Sequence, residues 1–347
     1  MAVSYFLGAN SCRGFYSLYE DFCSAEGDYL HIIKGGPGTG KSGFMRKIGS
    51  AAEKKGYDVE YILCSGDPDS LDGIYIPALH TGWVDGTTPH IIEPRHFGLD
   101  SDYVNLGQFC KTPLWIDDIR YVNRLYEDYK GCYRQAYGYL SKGAGLMGCV
   151  PERTLPEGSK QAIRDKIQEI IEHKGKKRGS AGVVRRRFFH AVSCKGDIWL
   201  RDSINILCKQ CYVFLGGDSF AAAAMKIAEE MGRAYCGRLI LSPDPRTPEK
   251  TEAVLLPELG LSFVAEGFGL EGAEAIQAGD ILRGYNAAVP AEAEQIKAMA
   301  QKLYTLADRK LSEAKSLHDE LEQVYKEAMD FRALTRYTER YIKDLFS

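Results

Sequence analysis

Several things are missing from this 347-residue chain, and each absence narrows what it does. No run approaches the roughly eighteen consecutive apolar residues of a membrane-spanning helix, so no such span is expected. The opening Met1-Ala2-Val3-Ser4-Tyr5-Phe6 lacks a basic segment followed by an apolar core, so no export signal is read and a cytoplasmic location is expected. There is no excess of one charge: 44 Lys and Arg stand against 47 Asp and Glu, a net of −3, which gives no global attraction for nucleic acid. The ten cysteines are scattered, as suits reduced thiols. Only Cys208-Lys209-Gln210-Cys211 has metal or redox spacing, and no second pair follows at a distance suited to zinc. Disorder is excluded by 45% apolar and 26% charged residues, and the length allows two ordinary domains.

What is present is Gly35-Gly36-Pro37-Gly38-Thr39-Gly40-Lys41-Ser42, which satisfies G-x-x-x-x-G-K-[ST] at every fixed position. The run Tyr29 to Lys34 before it reads as a buried strand, and Phe44, Met45, Ile48, Ala51 and Ala52 after it recur at helical spacing. A glycine-rich loop between strand and helix turns its N–H groups onto a phosphate. Lys41 then reaches the β/γ oxygens and the Ser42 hydroxyl ligates Mg²⁺.

The chain also repeats itself. Phe6 to Gly14 returns as Phe188 to Gly196, and Gly35-Gly36 returns as Gly216-Gly217 after a second apolar run, Cys211 to Leu215. Lys47-Ile48 returns as Lys226-Ile227, Ser65-x-Asp67-Pro68 as Ser242-x-Asp244-Pro245, and Ile76-Pro77-x-Leu79 as Leu256-Pro257-x-Leu259. Leu140-Ser141 and Leu146 then find Leu311-Ser312 and Leu317. Matches in one order at a slowly drifting offset imply a tandem duplication. The second loop, Asp218 to Met225, has no lysine and no further glycine, and Asp218 would repel a phosphate. The second copy is therefore expected to keep the fold without the phosphate chemistry.

That comparison nominates the acid on the Mg²⁺ side. Leu79 to Asp85 reads as a strand ending in a carboxylate, and its counterpart ends in Ala265, so the acid disappears together with the cradle lysine. Asp85 is favoured over Asp117 and Asp118, which follow a short apolar run and are better read as helix N-caps. A strand over Asp58 to Cys64 runs into the acidic loop Ser65 to Gly73, which in an open parallel sheet faces the ligand. Asp69 and Asp67 there are candidates for positioning the nucleophile. Asp67 persists as Asp244, which sets a turn-forming role beside the functional one, whereas Asp69 becomes Arg246 and is the better functional candidate. Thr87 is placed to touch a γ-phosphate, and His90 and Arg95 are weaker candidates for a substrate anion.

Each copy ends in a helix. Ile119, Val122, Tyr126, Tyr129, Tyr133, Ala136 and Leu140 form one apolar stripe, read as core rather than base-stacking surface. A longer helix is expected from Pro290 to about Asp344, packing along both lobes or pairing with another chain. Between the copies, a helix from about Glu157 to His173 precedes seven basic residues, Lys174, Lys176, Lys177, Arg178, Arg185, Arg186 and Arg187, read as a solvated linker. The expected division is an active lobe over 1–150, a helical and basic linker over 151–186, and a degenerate lobe with its long helix over 187–347. The fold class is α/β, with two tandem P-loop-like lobes and mainly parallel sheets flanked by helices.

The chain resembles, over nearly its whole length, a family of uncharacterised bacterial ATPases of nucleotide-kinase-like type built from two tandem P-loop lobes. The resemblance rests on Gly35 to Ser42, Ser65 to Gly73, Ile76-Pro77-Ala78-Leu79, Asp85-Gly86-Thr87-Thr88-Pro89-His90 and Ala314-Lys315-Ser316-Leu317-His318-Asp319. In that family the second lobe also looks like a working P-loop, and here it departs. The expectation is one ATP and Mg²⁺ site in the first lobe, held by Gly36 to Ser42 with Asp85 and Thr87, and hydrolysis or phosphoryl transfer as the activity. The expected alternative is a nucleotide-gated interaction protein with little turnover.

Overall fold

A computed structural model describes residues 2–89, 91–111, 119–269, 271–285 and 289–347. The first half runs β1 (Ala2–Phe6), β2 (Gly8–Ser11), β3 (Gly14–Ser17), β4 (Tyr29–Lys34), α1 (Lys41–Lys54), β5 (Val59–Leu63), β6 (Leu71–Ile76), β7 (Thr81–Asp85), β8 (Ser101–Asn105) and α2 (Ile119–Gly148). The second half runs α3 (Ser159–Glu172), β9 (Val183–Arg186), β10 (His190–Ser193), β11 (Gly196–Trp199), α4 (Arg201–Leu207), β12 (Gln210–Leu215), α5 (Asp218–Tyr235), β13 (Arg238–Pro243), β14 (Thr251–Leu256), β15 (Leu261–Ala265), β16 (Glu274–Gln277), α6 (Ala278–Ile281), α7 (Ala291–Lys326) and α8 (Phe331–Leu345).

The duplication is visible in the topology. One six-stranded sheet has the order β1-β5-β6-β7-β4-β8 and the other β9-β13-β14-β15-β12-β16. In each, the third strand alone runs antiparallel to the rest. Even the irregularity recurs, between Ile62 and Leu63 in one sheet and between Ser242 and Pro243 in the other. Central parallel strands are covered on both faces and so read as unbroken apolar runs. Ile32 and Ile33 of β4 are adjacent in sequence, point to opposite faces, and are both fully buried. The architecture is α/β, with two mainly parallel mixed sheets flanked by helices.

The two halves share a core. Phe6 and Phe188, counterparts in the repeat, exchange both backbone hydrogen bonds at 2.9 and 3.0 Å, and Leu7, Phe189, Ile62 and Val213 pack around them. The hairpins β2–β3 and β10–β11 reach across. The Cys12 N–H donates to the Arg246 carbonyl at 2.9 Å and the Cys194 N–H to the Gly66 carbonyl at 3.3 Å. Buried Asn10 donates to the carbonyls of Val192 and Ser65 and accepts from the Tyr137 hydroxyl, so its polar groups are satisfied where the halves meet. Helices α2 and α7 pack antiparallel, with Gly143 against Tyr304 and Tyr129 against His318.

The structure departs from the sequence reading in two places. The stretch 151–186 holds the expected helix as α3, but it is built into the second half: Ile163, Ile167 and Ile171 pack on α5, and its basic end supplies the edge strand β9. Its arginines serve the fold: Arg186 donates to the Pro248 carbonyl and the Tyr16 hydroxyl, Arg187 lies 4.8 Å from the Tyr5 ring centroid, and Arg178 pairs with Glu258. The long C-terminal helix is two helices. The chain breaks after Lys326, where Asp330 caps α8 by accepting from Ala333 N at 2.9 Å. Backbone pairing of Lys111 N with Ala328 O and of Asp330 N with Phe109 O holds the break. Helix α8 then returns to the first half. Phe44 packs on Tyr337 and Tyr341, and Trp83 Nε1 donates to the Tyr341 hydroxyl at 3.0 Å.

Candidate functional site

The cradle is the six-residue loop Gly35 to Gly40 between β4 and α1. Gly38 (φ +69°) and Gly40 (φ +87°) sit in the left-handed region, where a side chain is strained. Thr39 is buried, and its hydroxyl donates to the Gly36 carbonyl at 2.8 Å, closing the loop on itself. Gly40 is the N-cap of α1 and offers no side chain to its first N–H groups, which leaves them available to an anion.

Lys41 folds back over this loop. Its ammonium donates to the Gly35 and Gly36 carbonyls, each at 2.9 Å, and lies 3.5 Å from Asp85 Oδ2, with both side chains largely buried. Asp85 ends β7, which pairs directly with the cradle strand β4. Its other oxygen accepts from the Thr87 N–H at 3.0 Å and the Thr87 hydroxyl at 2.6 Å, so Thr87 orients the carboxylate. The sequence comparison nominated Asp85, and the structure brings it to the lysine. Ser42 Oγ accepts from Leu71 N at 2.9 Å, which ties α1 to the loop after β5 and leaves the hydroxyl a further lone pair and its proton.

The acidic loop lies beside the start of α1, since Arg46 donates to the Asp69 carbonyl. Asp67 closes its own turn, accepting from Asp69 N at 3.2 Å and the Ser70 hydroxyl at 3.0 Å. Asp244 does the same with Arg246 N and the Thr247 hydroxyl, at 2.7 and 2.9 Å, so both aspartates form the same turn. Asp69 is well exposed and pairs with Lys195 of the other half at 2.5 Å, and this partner holds its carboxyl below the usual range. Arg95 donates to the Glu20 carbonyl. His90, Asp117 and Asp118 lie outside the described residues.

The second half has no equivalent cradle. Between β12 and α5 only Gly216 and Gly217 remain, because α5 begins eight residues before Lys226, whereas α1 begins six before Lys47. The helix begins directly after Gly217, so no glycine loop is left between strand and helix. Ala278 stands where a β-carbon on Gly216 would be, 2.3 Å away, and Asp218 lies 3.9 Å from Lys297.

Compared with known proteins, the chain matches no family model, no curated protein sequence and no solved structure.

Two groups of residues beyond the expected cradle ligands belong to its surroundings. The first comes from the end of α7. A β-carbon on Gly36 would come within 3.2 Å of the Tyr325 ring, and one on Gly38 within 2.5 Å of the Glu322 backbone oxygen. Two turns earlier, Lys315 lies 3.5 Å from Asp67 and 2.5 Å from Asp319, and His318 packs on Tyr129. Burial pulls the His318 imidazole below its ordinary value; Glu322 and Asp319 oppose this, and Lys315 and Lys41 add to it. The sequence signal was the Ala314-to-Asp319 stretch, to which no contact could be attached without the fold. The second group is buried acid on the antiparallel strand. Asp72 accepts from the Tyr19 hydroxyl at 2.9 Å, and Glu252 takes the corresponding place opposite His190. Among the described residues no three His, Cys, Asp or Glu side chains converge as a metal site.

Proposed function

We propose that the first half is a nucleoside-triphosphate site that binds ATP with Mg²⁺ and either hydrolyses it or transfers its phosphoryl group. The observation that carries the reading is the meeting of three features. A strand-to-helix loop turns through two left-handed glycines, Lys41 lies over it, and Asp85 ends the adjacent strand 3.5 Å from that lysine. In this reading a triphosphate takes the place of the Gly35 and Gly36 carbonyls as partner of Lys41, and the loop N–H groups and the start of α1 hold the β-phosphate. The Ser42 hydroxyl and the Asp85 carboxylate are hard oxygen donors suited to Mg²⁺, which usually completes its shell with phosphate oxygens and water. That ion would neutralise charge developing on the transferred group. Thr87 keeps Asp85 oriented. Asp69 is the candidate for positioning a nucleophile, with Asp67 building the turn that carries it.

The resemblance to tandem P-loop ATPases points the same way, with a single working site because the second loop has closed. A second reading, nucleotide-gated interaction with little turnover, is favoured by one observation: α7 and α8 pack on the cradle itself, at Gly36, Gly38 and Gly40.

The test is nucleotide binding and phosphate release by the purified protein beside its Lys41→Ala variant. Magnesium-dependent ATP binding that falls at least about tenfold in the variant is expected, as for loss of a charge-assisted contact. Unchanged binding and unchanged phosphate release would sink the assignment. Binding without turnover in the parent protein would favour the gated reading.

A further inference from the structure

The duplication provides an internal control for deciding which contacts between the halves are structural and which serve the cradle. At the tip of each hairpin a serine hydroxyl donates to a glycine carbonyl, Ser11 to Gly14 and Ser193 to Gly196, at 2.8 and 2.9 Å. Each turn points a basic residue at the other half's Asp-Pro loop, so Lys195 pairs with Asp69 and Arg13 with Glu249. The cation is kept on both sides, although only one side has a cradle. Lys195, like Arg13, therefore belongs to the clasp that joins the halves.

Lys315 behaves differently. At the offset of 171 residues that carries Leu140 to Leu311, Lys315 corresponds to Ala144 and His318 to Met147. The half without a cradle receives from α2 neither the cation nor the imidazole. The half that lacks counterparts of Lys41 and Asp85 is thus also the half whose partner helix carries alanine in place of Lys315, as for parts of one apparatus. Its position fits. It stands on Asp67, at the start of the loop whose Leu71 N–H donates to Ser42, and its helix is seated on Gly36 and Gly38 two turns later. Asp67 already has Ser70 and Asp69 N as partners, so the turn persists if the ammonium leaves it.

We propose that Lys315 is the cation that the second half supplies to the first half's site, its ammonium contacting the γ-phosphate of a bound triphosphate. The site is then composite, with Lys41 on the β/γ side and Lys315 entering from α7 on a four-carbon stem. The second half is kept, on this view, because the first cannot complete its phosphate site alone. No bond is made or broken by Lys315; it holds charge that the triphosphate brings and the diphosphate lacks. The inference rests on the nucleotide reading above, and its test separates the two.

Dissociation constants for ADP and for a slowly hydrolysed ATP analogue, both with Mg²⁺, are measured by calorimetry on the full-length parent and on Lys315→Ala, Lys315→Arg and Lys195→Ala. The expected result is that Lys315→Ala loses about tenfold of the preference for triphosphate over diphosphate, the scale of one charge-assisted contact, with ADP affinity unchanged within about twofold. Lys315→Arg should retain most of that preference, and Lys195→Ala all of it. A Lys315→Ala protein that binds ADP and keeps the parent's triphosphate preference within twofold overturns the composite site and leaves the nucleotide reading standing. Equal loss of both nucleotides would make Lys315 a structural residue and overturn it too. A parent protein that binds neither nucleotide overturns both readings.

Discussion

The seating of α7 on the cradle is open to a test that needs no nucleotide. Gly38 is the position to change. Its φ of +69° places any side chain in the left-handed region, at about 1–2 kcal/mol for alanine. Its β-carbon would stand 2.5 Å from the Glu322 carbonyl oxygen, which is helix backbone and cannot swing aside. Overpacking of that kind adds about 1–3 kcal/mol, so Gly38→Ala should destabilise the protein by about 2–5 kcal/mol. At about 2–4 °C per kcal/mol for a unit of 150–250 residues, that is a midpoint lowered by roughly 4–20 °C. Gly43→Ala is the control on the same helix. Gly43 lies within α1 with nothing inside 4 Å of a β-carbon, so alanine there should be neutral or stabilising by about 0.5–1 kcal/mol. Gly40→Ala falls between them, because at φ +87° its β-carbon meets side chain and no backbone, the tip of Leu334 at 2.9 Å and the edge of Phe331 at 3.7 Å. Thermal melts by circular dichroism rank the three. If Gly38→Ala melts with Gly43→Ala, α7 does not lie on the loop, and the composite site loses its geometric basis.

Two further outcomes are expected. Asp85→Asn keeps an oxygen for the Thr87 donors, so the loop should hold while the gain in nucleotide affinity on adding Mg²⁺ falls at least about tenfold; an Asn variant with the parent's Mg²⁺ response would move the metal-side acid elsewhere. The buried His190 cluster should make stability fall as pH rises. Burial pushes Glu252 from 4.5 up to about 7, and hydrogen bonds to Asp197 and Glu252 hold His190 above its ordinary value against burial. Groups that bind their proton more tightly when folded stabilise at low pH, and that contribution fades between about pH 4.5 and 7 for Glu252 and above about 6.5 for His190. Asp197, held down to about 2 mainly by His190 and Arg246 against burial, acts in the opposite sense only below about pH 4. The melting temperature should therefore drop between pH 5.5 and 8.5, and Glu252→Gln should flatten the drop; a melting temperature that climbs over that range contradicts the cluster.

The parts of this fold that were legible in the sequence are those whose physics is local. The cradle strand was read as Tyr29 to Lys34 and is observed there, because a parallel strand buried on both faces needs an unbroken apolar run. Asp85 was legible because the duplicated chain supplied a second copy in which the loop lysine and this acid are both missing. Strand β6 was not. Leu71-Asp72-Gly73-Ile74-Tyr75-Ile76 opens with an acid and a glycine that read as loop, yet Asp72 is buried against Tyr19, a residue 53 positions away. The break between α7 and α8 was hidden for a similar reason, since it is held by pairing with Phe109 and Lys111, far away in sequence. The arginines of the expected linker read as solvated for want of any sign that Tyr5, Tyr16 and Glu258 would meet them.

The pattern of loss and retention between the halves is itself an energetic argument. Features kept in both copies join the halves or shape the sheets: the serine-pinned hairpin turns, the turns closed by Asp67 and Asp244, and a buried acid at Asp72 and Glu252. Removing any of these would leave a buried polar group unpaired or open the shared core around Phe6 and Phe188, at a cost of about 1–3 kcal/mol per unsatisfied group. Features lost in the second copy have no such role there. Its six-residue loop shrank to two, its helix advanced, and the position matching Asp85 carries Ala265. A chain selected for folding alone had no reason to keep Lys41 and Asp85 close together and largely buried, with a desolvation cost that a second alanine would remove. That the first half retains this pair, while the second has shed it without losing its fold, is the strongest physical sign that the pair serves a ligand.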